Sequence, residues 1–115
     1  MTRGELWWAD FGVPFSSEPG YKRPVIIIQN DFFNSSNINT IIVLPLTTNM
    51  ILADAPGNIK LSKNESKLKR DSVITVSQIE VIDRQRLIEK ISKMDKTILK
   101  KIENSIMLVL GMQKI

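Results

Sequence analysis

Pro24-Val25-Ile26-Ile27-Ile28-Gln29 places four β-branched side chains in succession. Branching at Cβ suits a pleated backbone, and a strand without polar alternation has both faces covered. The segment therefore reads as a central strand with an apolar layer on each side. Working outward, Glu5 to Phe11 is rich in aromatic and apolar residues and ends at the turn-forming Gly12-Val13-Pro14. Thr40 to Thr47 reads as a third strand. Pro45, near its end, has no N–H for a ladder and marks a sheet edge or bulge there. Shorter strands are expected at Asn58 to Leu61, Ser72 to Ser77 and Glu80 to Asp83. Short strands divided by polar loops favour a small barrel or a strongly bent antiparallel sheet.

The period changes in the last third. Met94, Ile98, Leu99, Ile102, Ile106, Val109 and Leu110 recur at helical spacing and form one apolar stripe. Ser92 and Asp95 resemble a capping box, and Gly111 is a stop signal. Lys96, Lys100 and Lys101 fall on the opposite, solvated face. The chain thus reads as one domain over residues 1–115, mainly β with a C-terminal helix. The barrel is expected over about residues 3–87 and the helix over about residues 93–110, with its stripe on the sheet. Alternation along the first strand turns Trp7 and Phe11 inward and leaves Trp8 more exposed.

Composition restricts the chemistry. The 115 residues include no cysteine and no histidine. Disulfide frameworks, thiol catalysis and thiolate metal sites are excluded, as are His-based triads and ordinary zinc hydrolases. An enzyme built on this chain must use carboxylates, Arg and Lys, hydroxyls and backbone donors. Hydrophobic residues at 43% against 24% charged residues fit a globular chain rather than a disordered one. The N-terminal Met1-Thr2-Arg3-Gly4-Glu5 lacks a signal-peptide core, and runs such as Ile41 to Leu46 are too short to span a bilayer. A cytoplasmic location is the expectation.

The net charge of +4 is unevenly spread. Residues 1–59 carry three basic side chains against five acidic ones, a balance of −2, and residues 60–115 carry thirteen against seven, a balance of +6. Such a basic half suits a nucleic-acid or acidic-protein partner, and it equally suits a solvated lysine-rich face.

Three groups of residues could carry chemistry. Gly12 to Arg23 is a long loop that holds Ser17, Glu18, Tyr21 and Lys22 and delivers Arg23 to the start of the central strand. Pro24 biases Arg23 toward an extended backbone, from which its guanidinium could grip a phosphate by two prongs. Glu18 with Arg23 also reads as a plain loop ion pair. Thr47-Thr48-Asn49 offers two hydroxyls and an amide at a strand end, donors suited to a phosphate but also ordinary strand residues. Lys63, Lys67, Lys69 and Arg70 lead into Asp71-Ser72, as a backbone-tracking run or as a solvated loop. Met50, Ile51 and Leu52, in the loop from Thr48 to Pro56, either form a partner surface or tuck onto the core. There is no Gly-rich phosphate loop and no carboxylate cluster suited to a divalent metal.

Taken in order, these pieces resemble the MazF/PemK family, the toxin half of bacterial type II toxin–antitoxin pairs. The resemblance runs through Arg3-Gly4-Glu5-Leu6-Trp7-Trp8-Ala9-Asp10-Phe11, Ser17-Glu18-Pro19-Gly20-Tyr21-Lys22-Arg23-Pro24 and Val25 to Asp31. It continues at Leu46-Thr47-Thr48, Asp71-Ser72-Val73, Gln78-Ile79 and Ile82-Asp83-Arg84-Gln85-Arg86-Leu87. It implies a small SH3-like barrel with a C-terminal helix, usually a homodimer, that cleaves single-stranded RNA without a metal or other cofactor. The family's catalytic Arg and strand-end Thr map onto Arg23 and Thr47, and its loop Glu onto Glu18. Ser17, Tyr21, Lys22, Thr48, Asn49, Lys69, Arg70 and Gln78 are the implied RNA contacts, and Tyr21, Phe15, Phe32 and Phe33 are aromatic groups suited to stacking on bases. With no histidine, the nucleophile would be the substrate's own 2′-hydroxyl, giving a 2′,3′-cyclic phosphate and a 5′-hydroxyl. A cognate antitoxin with an acidic tail is the implied partner. Two departures stand out: Glu80 where relatives often carry a basic residue, and Lys67 where a Gly is common. The alternatives are a non-catalytic SH3-like binding module and a gyrase-poisoning toxin of the same fold.

Overall fold

A computed structural model of the chain describes residues 1–12 and 22–112. Seven antiparallel strands form the sheet: β1 (Glu5–Asp10), β2 (Lys22–Ile27), β3 (Thr40–Thr47), β4 (Ile59–Leu61), β5 (Ser72–Ile74), β6 (Glu80–Asp83) and β7 (Leu87–Lys93). Their order is β4-β5-β3-β2-β1-β7, with β6 also paired to β3. Two single-turn helices, α1 (Asp31–Asn34) and α2 (Lys63–Ser66), precede the long C-terminal helix α3 (Lys96–Val109). The small barrel with a C-terminal helix expected from the sequence is the fold observed: a sheet curled into half a barrel, with α3 across one face.

The opening stretch behaves as its composition requires. Val25 and Ile27 point into one apolar cluster with Ala9, Ile41, Val43 and Ile82, while Ile26 points into the other with Leu6, Leu44, Leu46 and Ile74. All four of Val25, Ile26, Ile27 and Leu44 are fully buried, and each such side chain stabilises the fold by about 1.5–3 kcal/mol. Pro45 lies where β3 changes partner on one edge, from β6 at Val43 to β5 at Leu46. A residue without an N–H fits that gap, and the Pro45 carbonyl accepts both the N–H and the hydroxyl of Thr75. This switch is what curls the sheet.

Met94, Ile98 and Ile102 of the predicted stripe are buried against the sheet, with Leu99, Ile106 and Val109 beside them; Leu110 is exposed. Gly111 ends the helix as expected: its N–H bonds the Leu108 carbonyl and the Met112 N–H bonds that of Met107, a Schellman pair that needs the left-handed φ of +72°.

Four expectations are corrected. The helix starts at Lys96, not near residue 93, because residues 87–93 form β7 along β1, with Lys93 opposite Glu5. Ser92 is therefore a strand residue, and Asp95 caps α3 by accepting the Ile98 N–H at 2.9 Å. The strand begun at Ser72 ends at Ile74, where Thr75 turns to Pro45 and Val76–Gln78 form a 3-10 turn. Finally, Trp7 and Trp8 are both half-buried rather than contrasted, since this sheet carries an apolar layer on each face.

Candidate active site

The site is assembled at the end of the central strands. Val25 of β2 and Pro45 of β3 are the last pair of that ladder, and Arg23 and Thr47 each lie two residues beyond it, at the same end of the two strands. Residues 24 apart in sequence are thus brought to one end of the sheet by the antiparallel pairing of their strands. The Thr47 hydroxyl oxygen accepts the Asn49 N–H at 3.1 Å, which fixes the oxygen, and its proton has no acceptor among the described residues. Arg23 and Thr47 are both half-buried.

Both residues line a cleft of about 600 Å³. Lys22, Thr48, Lys69 and Arg70 line it too, as do Trp8, Lys67 and Ser72. Among the described residues, five cationic side chains and no carboxylate line this space. The arrangement suits a polyanion, because opposed cations in a partly enclosed cleft focus a positive potential.

The basic wall is held rigidly. Ser62 and Glu65 form a reciprocal capping box on α2, and the Asp71 carboxylate accepts the Lys63 N–H at 2.9 Å, closing the loop at its base. Buried Ser66 accepts the Leu68 N–H on its hydroxyl and the Ser92 hydroxyl proton on its carbonyl. Between these ties, Lys67 adopts φ 69° and ψ 17°. It is the only non-glycine residue with positive φ among the described residues. For an L-residue with a long side chain this backbone costs about 1–2 kcal/mol, and only glycine adopts it freely.

The second departure bears on Arg23. Val43 pairs with both Ile27 and Glu80, so Glu80 lies on the sheet face shared by Arg23, Val25 and Ile27. Burial pushes the Glu80 carboxyl above its usual range, and the positive charge of Arg23 partly opposes that rise.

Asn49 and Gln78 do not line the cleft. The Asn49 side chain instead accepts the Ile51 N–H and caps the 3-10 turn Met50–Asp54, and Gln78 is exposed at the end of its own turn. Met50 and Ile51 are exposed, Ile51 strongly so at 79%. Phe32 and Phe33 stack edge to face on α1, outside the cleft. Phe15, Ser17, Glu18 and Tyr21 lie outside the described residues, so the pairing of Glu18 with Arg23 does too. Sequence reasoning missed Trp8 as a cleft residue and placed Lys67 only within a basic run, as a backbone-tracking or a solvated residue. The even-numbered side of β1 gave a signal for Trp8, since Lys22, Pro24 and Leu46 share it. Among the described residues no three Asp or Glu side chains converge as a metal site requires, and no helix is long and apolar enough to cross a membrane.

Residues 2–110 match the family described as the PemK-like, MazF-like toxin of type II toxin–antitoxin systems. The chain belongs to this family. It is 33% identical over 112 residues to endoribonuclease MazF2 of Mycobacterium bovis, covering 97% of this chain and 98% of that one. Identity and coverage are the same for endoribonuclease MazF6 of Mycobacterium tuberculosis. The fold matches an endoribonuclease solved in complex with its cognate antitoxin from a mycobacterial species, with a TM-score of 0.79 at 17% identity, covering 100% of this chain and 99% of that one. It also matches MazF of Deinococcus radiodurans, with a TM-score of 0.75 at 20% identity over 96% of each chain. In this PemK/MazF-family chain Arg23 and Thr47 line one cleft together with Lys67, and Glu80 lies within reach of the charge of Arg23.

Proposed function

We propose that this chain is an endoribonuclease toxin that cleaves single-stranded RNA, mRNA included, at selected sequences and is inhibited by a cognate antitoxin. The observation that carries the reading is that Arg23 and Thr47 line one cleft whose described side chains include five cations and no carboxylate. The naming of the relatives as endoribonucleases supports it.

Cleavage uses the substrate's own 2′-hydroxyl. Its oxygen bonds to the neighbouring phosphorus, the bond from phosphorus to the 5′-oxygen breaks, and the products are a 2′,3′-cyclic phosphate and a 5′-hydroxyl. The 2′-proton leaves to a base, for which Glu18 is the candidate, or else Glu18 orients Arg23. The departing 5′-oxygen gains a proton. Arg23 holds the scissile phosphate and stabilises its added charge, a role suited to a group that stays protonated. Thr47 donates its free hydroxyl proton to the same phosphate. Lys22, Thr48, Lys69 and Arg70 bind the flanking backbone, and Ser17, Tyr21, Asn49 and Gln78 are further candidate contacts. No step requires a metal or cofactor. The protein acts as a homodimer in the cytoplasm, and the acidic tail of its antitoxin occupies the same basic cleft.

The test is incubation of the purified chain with a long unstructured RNA, with and without EDTA, and separately with gyrase. Discrete fragments with 5′-hydroxyl ends, insensitive to EDTA and lost in Arg23→Ala, are expected. Binding without cleavage would mark a non-catalytic module instead, and gyrase inhibition a poison of the same fold.

A further inference from the structure

Lys67 combines two features that ordinary packing does not explain. Its backbone is in the left-handed region, where a long side chain is disfavoured, and its side chain belongs to the lining of the Arg23 cleft. The strain is not relieved by an ion pair: among the described residues the ion pairs are Arg3 with Glu103 and Lys90 with Glu5. Nor is the turn loose enough to relax, because bonds at Ser62, Ser66 and Asp71 fix it on both sides. A strained residue on a rigid base, at a position suited to Gly, is retained for what its side chain does.

We infer that Lys67 is an RNA-binding residue of this chain, whose ammonium takes a backbone phosphate flanking the one held at Arg23. The inference rests on the endoribonuclease reading for its substrate and adds a contact to it. Lys67 is carried on the loop that also presents Lys69 and Arg70 to the cleft lined by Lys22 and Arg23, so a strand of phosphates can be gripped by side chains from two separate segments. RNA fits better than an acidic peptide because the cleft also holds the half-buried Trp8, whose indole face offers a base a stacking surface. A carboxylate tail would make no use of it. A glycine here would relax the turn; Lys67 keeps the turn and adds a charge to the cleft.

The experiment compares Lys67→Gly, Lys67→Arg and the unaltered protein. Each is titrated with a random-sequence 2′-O-methyl RNA oligonucleotide, which lacks the nucleophile and is not cut, at several salt concentrations. Lys67→Gly should bind about 3–10-fold more weakly, with the slope of log affinity against log salt reduced by about 0.7, the loss of one single-strand phosphate contact. Its melting temperature should be equal or higher, because glycine relaxes the left-handed backbone. Lys67→Arg should keep both affinity and slope. A structural role would move stability and binding together, whereas this one separates them. Unchanged affinity and slope in Lys67→Gly would overturn the inference, as would equal weakening in Lys67→Arg. So would selective loss of affinity for an Asp/Glu-rich peptide with RNA binding intact. Because the probe cannot be cleaved, RNA binding through Lys67 in a protein that cuts no RNA would sink the endoribonuclease reading and leave this one standing.

Discussion

Ser92 on β7 donates its hydroxyl proton to the carbonyl oxygen of Ser66, 26 residues earlier in the chain. This bond ties the outer strand of the sheet to the loop that carries Lys67, Lys69 and Arg70. A residue whose sequence context reads as a helix cap is thus a strut for the basic wall of the cleft.

Ser92→Ala should therefore do two things. It leaves a buried residue's carbonyl without that partner, at a cost of about 1–2 kcal/mol in urea unfolding, and it loosens the loop enough to weaken RNA binding. Asp95→Ala, which removes the actual cap of α3, should cost about 1 kcal/mol and leave RNA affinity where it was. The pair of variants separates the two roles.

Glu5 should make the fold acid-sensitive. Burial raises its carboxyl pKa, but the Trp7 indole N–H, the Thr2 N–H and hydroxyl, and Lys90 outweigh that effect and hold the group at about 2, against an ordinary value of 4.5. A carboxyl lowered on folding stabilises the fold above its unfolded value and loses that contribution as pH falls through the folded one. The window therefore runs from pH 4.5 down to about 2 and is worth about 3 kcal/mol. Glu5→Gln should be less stable at neutral pH and should show a flatter acid limb in unfolding curves taken across that window.

Glu80 should behave in the opposite sense. Its carboxyl is raised on folding, so its contribution is fully present below the ordinary carboxylate range and is lost as pH rises through the folded value. Ionised at neutral pH, it carries a desolvation cost that Arg23 only partly offsets. Glu80→Gln should raise the urea midpoint at pH 7 and match the unaltered protein near pH 4. A lower midpoint at pH 7 would show that the Arg23 attraction dominates instead.

Gly57→Ala should be destabilising by about 1–3 kcal/mol. Gly57 has a φ of +86°, and an added Cβ would come within 2.6 Å of the Val109 side chain on α3. Val109→Ala in the same background should recover part of the loss, the coupling expected of direct contact.

The parts of this molecule that were legible from sequence are those where one residue's chemistry decides its backbone. The β3 and β6 boundaries at Thr40, Thr47, Glu80 and Asp83 follow from β-branched runs and their flanks. The stripe of α3 follows from its period and its stop from Gly111. Arg23 and Thr47 were nameable because a motif resemblance covers both.

β7 was illegible because most of its residues are exposed and because β1 shifts register against it at Leu6/Trp7 and Trp8/Ala9. Two irregularities in one ladder erase the period of two that a strand would otherwise print in its sequence. With β7 hidden, the cap of α3 was misplaced by three residues and the Ser92–Ser66 tie could not be seen.

What the sequence by itself determined is the inventory: a two-faced central strand, an amphipathic helix, and a chemistry without His or Cys. What only the tertiary structure decided is adjacency. Lys67 reads as one more lysine in a basic run until the turn at Ser66 forces its backbone left-handed on the rim of the cleft. Trp8 reads as exposed until the loop at residues 67–70 closes over its face of the sheet. The cleft brings Trp8 together with a loop some 60 residues away, and short-range patterns of polarity contain no term for a juxtaposition at that distance.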